Sequence, residues 1–412
     1  PMRVCVFGLW HLGTVTAACL ASIGHDVVGL DFDPATIERL GRGEPPLHEP
    51  GLGELVRQGL DRKKLRFTTD PRDAVKGARV LWVTFDTPVD EDDRADVEYV
   101  TSRVESLFEH LDKGTLIIVS SQLPAGSVLK LEAASRGKFA FASVPENLRL
   151  GKAIDVFLKP DRVVAGVRKQ EDRAIIEELL EPLHARIEWM SVESAEMTKH
   201  ALNAFLATSV AFINEIAVVC EQVGADAQEV ARGLKSDARI GPRAYLGPGD
   251  AFAGGTLARD IEFLKSRYEV PLIASVKTSN DRHKDWARRK LESVLGPLRG
   301  RTIAIWGLTY KPGTDTLRRS SSVELCKWLL ERGVRVKAHD PMVHSLPEEL
   351  SQIELCADPG EALRDAGALV VSTEWPEYKT APVRKGMIVI DANRFLASRE
   401  GLRYFSVGMP TT

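Results

Sequence analysis

Two stretches of this chain repeat one order of signals: a short β-branched strand, a glycine, an amphipathic helix, a second strand and a closing aspartate. The first passes from Arg3–Phe7 through Gly8 and Gly13 to Asp26–Leu30 and Asp31, eighteen residues after Gly13. The second passes from Arg301–Gly307 through a helical pattern over Val323–Glu331 to Arg335–His339 and Asp340. A strand that feeds a helix and then a parallel neighbour stacks only into a parallel sheet covered by helices on both faces. Further runs at Ala78–Thr84, Leu116–Ser120, Arg162–Ala165, Ala368–Ser372 and Met387–Asp391 read as continuing strands. Between the two sets, Ser194 to about Gly224 is one helical pattern without internal Gly or Pro, with Ser194 as its expected N-cap. A helix of about 30 residues spans about 45 Å, more than one domain needs. The predicted fold is therefore α/β, with two Rossmann-like doubly wound domains joined by a long central helix and a small helical domain. The boundaries expected are residues 1–193, 194–298 and 299–412.

The 412 residues are 44% hydrophobic and 27% charged, the balance of a soluble globular chain of two or three domains. A net charge of −3 and scattered basic residues, Arg288-Arg289-Lys290 among them, give no electrostatic reason to expect nucleic-acid binding. The five cysteines are far apart and form no C-x-x-C pair, which suggests a reducing, cytoplasmic compartment. No Cys/His cluster has metal-ligand spacing, so no metal is expected. The apolar run near Ala204–Cys220 contains Asn214 and Glu215 and is not read as membrane-spanning.

Gly8-Leu-Trp-His-Leu-Gly13 keeps the first and last glycines of a G-x-G-x-x-G dinucleotide loop. Trp10 stands at the middle glycine, where backbone should approach pyrophosphate. Asp31, at the end of the second strand, suits two ribose hydroxyls and repels a 2′-phosphate, so NAD is predicted over NADP. The alternative is an α/β domain that no longer binds a nucleotide.

Ordered motifs follow along the rest of the chain. They are Gly43-Glu-Pro-Pro-Leu-His-Glu-Pro-Gly-Leu52, Phe85-Asp-Thr-Pro88, Ser121-Gln-Leu-Pro-Ala-Gly126 and Val144-Pro-Glu-Asn-Leu-Arg-Leu-Gly151. Ser194–Phe205 on the long helix, Asp237-Ala-Arg-Ile-Gly241, Gly249–Asp260, Gly307-Leu-Thr-Tyr-Lys-Pro312, Thr373-Glu-Trp375 and Asp391 complete the series. In this order they resemble the UDP-glucose/GDP-mannose dehydrogenase family over essentially the whole chain. Lys199 and Asn203 are four apart and share one helix face, where a lysine among apolar neighbours must reach water or find a partner.

The resemblance implies NAD as cofactor, a nucleotide sugar such as UDP-glucose as substrate, and a homodimer through the central helix. It implies catalytic roles for Lys199, Asn203, Asp260, Glu146 and the Thr256 position, with Lys199 and Asn203 stabilising oxyanions and Lys199 with Asp260 handling the proton. It places cofactor contacts at Gly8, Leu12, Gly13, Asp31, Thr87, Ser121 and Arg318. It places substrate contacts at Leu148, Arg149, Lys199, Asn203, Arg239, Tyr245, Gly254 and Lys311, with Arg239 reaching into the other subunit's pocket.

The chain departs from the family at a few positions. Thr256 stands where the family has the cysteine that lets an aldehyde become an acid; Leu150 replaces a glutamate and Gln122 a threonine. Trp10 and Asp86 replace glycines on the cofactor side. Cysteine is partly thiolate near neutral pH, whereas a threonine hydroxyl needs a dedicated base. The first oxidation, from alcohol to aldehyde, is thus expected to survive, while the second is slow, uses water directly, or is lost. Two alternatives stay open: a non-catalytic nucleotide-sugar sensor or paralogue partner, and single-step oxidation of a ring hydroxyl or another nucleotide-linked alcohol.

Overall fold

β1 (Arg3–Phe7) lies between β2 (Asp26–Leu30) and β4 (Val80–Val83), parallel to both, in a computed structural model that describes residues 1–92, 94–253, 255–397 and 400–410. β3 (Leu65–Thr68), β5 (Leu116–Val119), β6 (Ala140–Ser143), β7 (Val163–Gly166) and β8 (Ile187–Met190) extend this to eight strands in the order β3-β2-β1-β4-β5-β6-β7-β8. Among the described strands of this sheet, only the β6–β7 pairing is antiparallel. The first six strands follow the doubly wound order, whose chain reversal falls between β1 and β4.

A second sheet repeats this order with β9 (Thr302–Trp306), β10 (Arg335–His339), β11 (Glu354–Leu355), β12 (Ala368–Val371), β13 (Ile388–Asp391) and β14 (Arg403–Phe405), arranged β11-β10-β9-β12-β13-β14. All its pairings are parallel.

Strands buried on both faces should read as unbroken apolar runs, and the central strands β4, β5 and β12 do. In β1, Val4 and Val6 enter one apolar cluster while Cys5 and Phe7 enter the opposite one. Leu116 and Ile118 part from Ile117 and Val119 in the same way. In the second sheet, Ile303 and Ile305 face one cluster, Ala304 and Trp306 the other.

Contacts divide the chain into two units, residues 1–202 and 203–412. The division falls inside the central helix, Val192–Val223. That helix begins two residues before the sequence suggested, because Ser191 rather than Ser194 caps it: the Ser194 N–H donates to Ser191 Oγ at 3.2 Å. It is long and apolar enough to cross a membrane by composition. Within the second unit, however, its Ala204, Ala207, Ala211, Ile213 and Ala217 are buried against neighbouring elements. Phe205, Phe212, Val219 and Val223 are exposed, at spacings of seven and four that mark one side of a helix. The helices Ala227–Ser236, Thr256–Arg267, Pro271–Lys284 and Trp286–Leu295 follow, and no strand occurs between β8 and β9 among the described residues.

The crossing of β1 and the first helix, His11–Ser22, sets the open end of the first sheet. Gly8 has φ +99°, and a Cβ on Gly13 would lie 1.6 Å from the Gly8 carbonyl oxygen. A Gly13→Ala variant should therefore lose about 2 kcal/mol or more. Thermal unfolding of the sugar-free protein would show this as a Tm lower by several degrees, while an unchanged Tm would mean that the helix is free to shift away from β1.

Candidate active site

The carboxyl ends of β1, β2 and β4 carry the expected cofactor residues. Asp31 follows β2 and turns both oxygens to main-chain donors: Oδ2 accepts from Leu9 N–H at 2.8 Å and Oδ1 from Asp33 N–H at 3.0 Å. The Gly8–Gly13 approach holds the first helix with its N-terminus toward this edge, the arrangement that a dinucleotide diphosphate uses. Gly8, Gly13 and Asp31 thus fit NAD. Leu12 is buried, and its N–H donates to Asp86 Oδ2 at 3.3 Å. Trp10, just before the helix, is half exposed. Thr87 is buried and donates to the Gln122 carbonyl at 2.9 Å, tying the loop after β4 to the loop after β5.

Lys199 and Glu146 meet in the first unit, with Nζ 3.5 Å from Oε1. The lysine side chain is 12% exposed, so it finds a carboxylate rather than snorkelling to water. Glu146 also accepts the Leu148 N–H at 2.7 Å, which shapes the loop carrying Leu148 and the exposed Arg149. Beside this pair a small cavity is lined by Ser121, Gln122, Glu196 and His200. Ser121 Oγ and Glu196 Oε1 are buried there without a hydrogen-bond partner. Burial raises the Glu196 carboxyl, against the pull of the Gly126 and Val128 N–H groups. Glu196 and His200 carry no local signal that marks them out in the sequence, although both lie on the central helix within three residues of Lys199.

Glu49 was also missed. Its side chain is 1% exposed and accepts three bonds: from His11 Nε2 at 3.0 Å, Gly151 N–H at 2.9 Å and Ala153 N–H at 2.7 Å. It ties the first turn of the dinucleotide helix to the chain just after Leu148 and Arg149. Burial alone would raise this carboxyl, but the His11 ring and the two backbone donors hold it below its ordinary value of 4.5.

In the second unit, Asn203 and Asp260 are both buried and hydrogen-bonded to one another, amide nitrogen to Oδ2. Asp260 belongs to the helix Thr256–Arg267, so the exposed Thr256 sits one turn before it at the helix start. The segment leading there is held at several points. Asn214 accepts the Gly249 N–H at 3.0 Å and donates to the Asp250 carbonyl at 3.2 Å. Asn280 pairs with both backbone groups of Phe252 at 3.0 and 2.9 Å. His283 Nε2 lies 2.6 Å from the Gly249 carbonyl, and burial lowers its pKa, so the neutral ring donates from Nε2. Asn393 accepts the Asp250 N–H at 2.8 Å.

The other expected contacts are dispersed over the second unit. Arg239 is almost fully exposed and pairs with Asp237 at 2.8 Å. Tyr245 is exposed. Lys311 and Arg318 lie on the segment between β9 and the helix Ser321–Glu331, where the Thr314 hydroxyl donates to the Lys311 carbonyl at 3.2 Å. Gly254 lies outside the described residues. Arg394, near the end of β13, is drawn into a bidentate pair with Asp226 at 2.9 and 2.8 Å. No cysteine replaces the one missing at Thr256: all five are free and buried, and burial pushes the Cys5 and Cys326 thiols up to about 12.

Glu49→Ala leaves a histidine and two backbone N–H groups unsatisfied and should cost about 3 kcal/mol in urea denaturation. A carboxyl lowered by folding stabilises above its unfolded pKa, near 4.5, and that stability is lost as pH falls through the lower folded value. The gap between wild type and Glu49→Ala should therefore close in this acid range. A gap that stays constant down to acid pH would show that the carboxylate charge contributes nothing.

Residues 2–184 match the NAD-binding domain of the UDP-glucose/GDP-mannose dehydrogenase family, residues 193–282 its central domain and residues 304–398 its UDP-binding domain. UDP-glucose 6-dehydrogenases of Bacillus subtilis and Pseudomonas aeruginosa are 35% and 34% identical, over 99% of this chain and 93% and 98% of theirs. The structure of a UDP-glucose dehydrogenase from Pyrobaculum islandicum is similar with a TM-score of 0.90 at 32% identity, covering 99% of this chain and 98% of that one. The protein belongs to the UDP-glucose/GDP-mannose dehydrogenase family.

Proposed function

We propose that the chain is an NAD-dependent dehydrogenase that oxidises UDP-glucose at its C6 alcohol, and that Thr256 makes the second oxidation slow or absent. Relatives named as UDP-glucose 6-dehydrogenases support the substrate. The observation that carries the chemistry is the buried Asn203–Asp260 pair, with Thr256 at the head of the same helix.

Oxidising a primary alcohol removes a proton from oxygen and a hydride from carbon. NAD, when bound, takes the hydride. Asp260, oriented by the Asn203 amide, takes up the proton, while the Lys199 ammonium, held loosely by Glu146, steadies the developing alkoxide. Leu148 N–H fixes Glu146 so that this lysine has a partner when no substrate is present. An aldehyde must first add a nucleophile before it can lose a second hydride, and Thr256 lacks the acidity for that role without a base.

The outward row of Phe205, Phe212, Val219 and Val223 supports a homodimer through the central helix. Arg239 extends into solvent and is suited to reach a neighbouring subunit's substrate. The odd, scattered and buried cysteines support a cytoplasmic location.

With limiting UDP-glucose, we expect one NADH per sugar and an aldehyde product by mass spectrometry. Two NADH and a uronic acid would overturn the truncated reaction. No NADH from any of a small panel of nucleotide sugars would favour a sensor instead. Asp260→Asn and Lys199→Ala should each lower kcat by about 100-fold or more, the usual scale for losing a positioned acid–base group. For the dimer, wild type should elute at twice the chain mass in light-scattering chromatography and Phe205→Glu/Phe212→Glu as a monomer; a double variant that stays dimeric would place the interface elsewhere.

A further inference from the structure

Asp86 follows Phe85 just past the carboxyl end of β4, and its Oδ2 accepts the Leu12 N–H at 3.3 Å. Leu12 is the second residue of the first helix, so this N–H is one of the four that a helix leaves without an internal partner. The positive end of the helix dipole points to the same place. A diphosphate bound at the reversal of a doubly wound sheet takes up these same donors. The carboxylate therefore offers the charge and the hydrogen-bond acceptor that a cofactor phosphate would bring. No side chain at Trp10 caps the helix, which leaves this end to Asp86.

The surroundings fix which part can move. The helix cannot move closer to β1, since Gly13 already lies against the Gly8 carbonyl. The Phe85 ring packs under Gly8 and edge-on to Phe7, with ring centroids 4.7 Å apart. Thr87 is buried and tied to the Gln122 carbonyl. Between these two anchored neighbours, only the Asp86 side chain is exposed. At 3.3 Å the bond to the Leu12 N–H is longer than most charge-assisted ones.

We propose that Asp86 is an internal competitor for the diphosphate of the dinucleotide: NAD binds once this carboxylate has left the Leu12 N–H, and Asp86 thereby sets the cofactor affinity of this chain. This reading depends on the NAD-binding domain and not on which sugar is oxidised. It is tested by binding alone, so its failure and failure of the proposed reaction are separable.

The experiment is titration of sugar-free protein with NAD, NADH and adenosine by calorimetry and nucleotide fluorescence, in wild type, Asp86→Ala and Asp86→Asn. Replacing a helix-capping carboxylate changes stability by a few-fold to about thirtyfold in equilibrium terms. NAD and NADH should accordingly bind Asp86→Ala about tenfold tighter than wild type, and Asp86→Asn should fall between them. Adenosine, which has no phosphate, should bind all three alike. Unchanged or weaker NAD binding in both variants would overturn the proposal. An equal gain for adenosine would overturn it too, because space rather than charge would then be the cause. Melting curves confirm that each variant is folded, and Asp86→Asn, the closest in shape, carries the test if Asp86→Ala is not.

Discussion

A polar side chain on a mostly apolar helix must find a partner or leave the interior, because a buried donor or acceptor without one costs about 1–3 kcal/mol. The central helix of this protein carries such groups at intervals, and much of the structure is arranged to meet them. In the first unit Lys199 is met by Glu146, and one oxygen of Glu196 by the Val128 N–H. In the second unit Asn203 is met by Asp260 and Asn214 by Gly249 and Asp250. Glu221 accepts from Trp286 Nε1 at 2.8 Å and from the Gly408 N–H at 2.9 Å. The bonds from Asn203 and Asn214 hold the backbone at Gly249 and Asp250 and the side chain of Asp260, each specifying a direction as well as a contact.

The chemistry follows from that placement. In the second unit Asp260 is held by the Asn203 amide, and Thr256 is one turn before Asp260 at the start of the same helix as Asp260. A set of this kind suits removal of a proton from an alcohol. The slow or absent second oxidation proposed above rests on the threonine at position 256, since the chain's five thiols are all buried. The same economy is visible at the cofactor edge, where Asp86 satisfies a helix end that the glycine of the family pattern would leave to the ligand.

What the sequence made legible was whatever had a strong local signal. The apolar, β-branched strands β1, β2, β5, β10, β12 and β13 stand where their runs lay, within a residue or so at the ends. The strands β3, β6 and β8 carry weak signals because they are four residues long and mix apolar with polar side chains; β8 forms one edge of the sheet and is only partly buried throughout. Lys199 and Asn203 could be placed on one helix face from their spacing, but the partners Glu146 and Asp260 lie 53 and 57 residues away in sequence, and no local rule reaches that far. Glu49 lay within a quoted motif, yet only folding shows that its carboxylate binds His11, Gly151 and Ala153. The cap of the central helix falls at Ser191 rather than Ser194 because β8 ends at Met190 and the chain is already helical from Val192.

Hydride transfer from C6 of a nucleotide sugar to NAD is the claim on which the account turns. UDP-glucose carrying two deuterium atoms at C6, incubated with the protein and NAD, tests it directly when the reduced cofactor is recovered and weighed. Oxidation at C6 leaves one deuterium in each NADH formed and a second on the aldehyde carbon. NADH that forms without deuterium would place the oxidation at another carbon and contradict it.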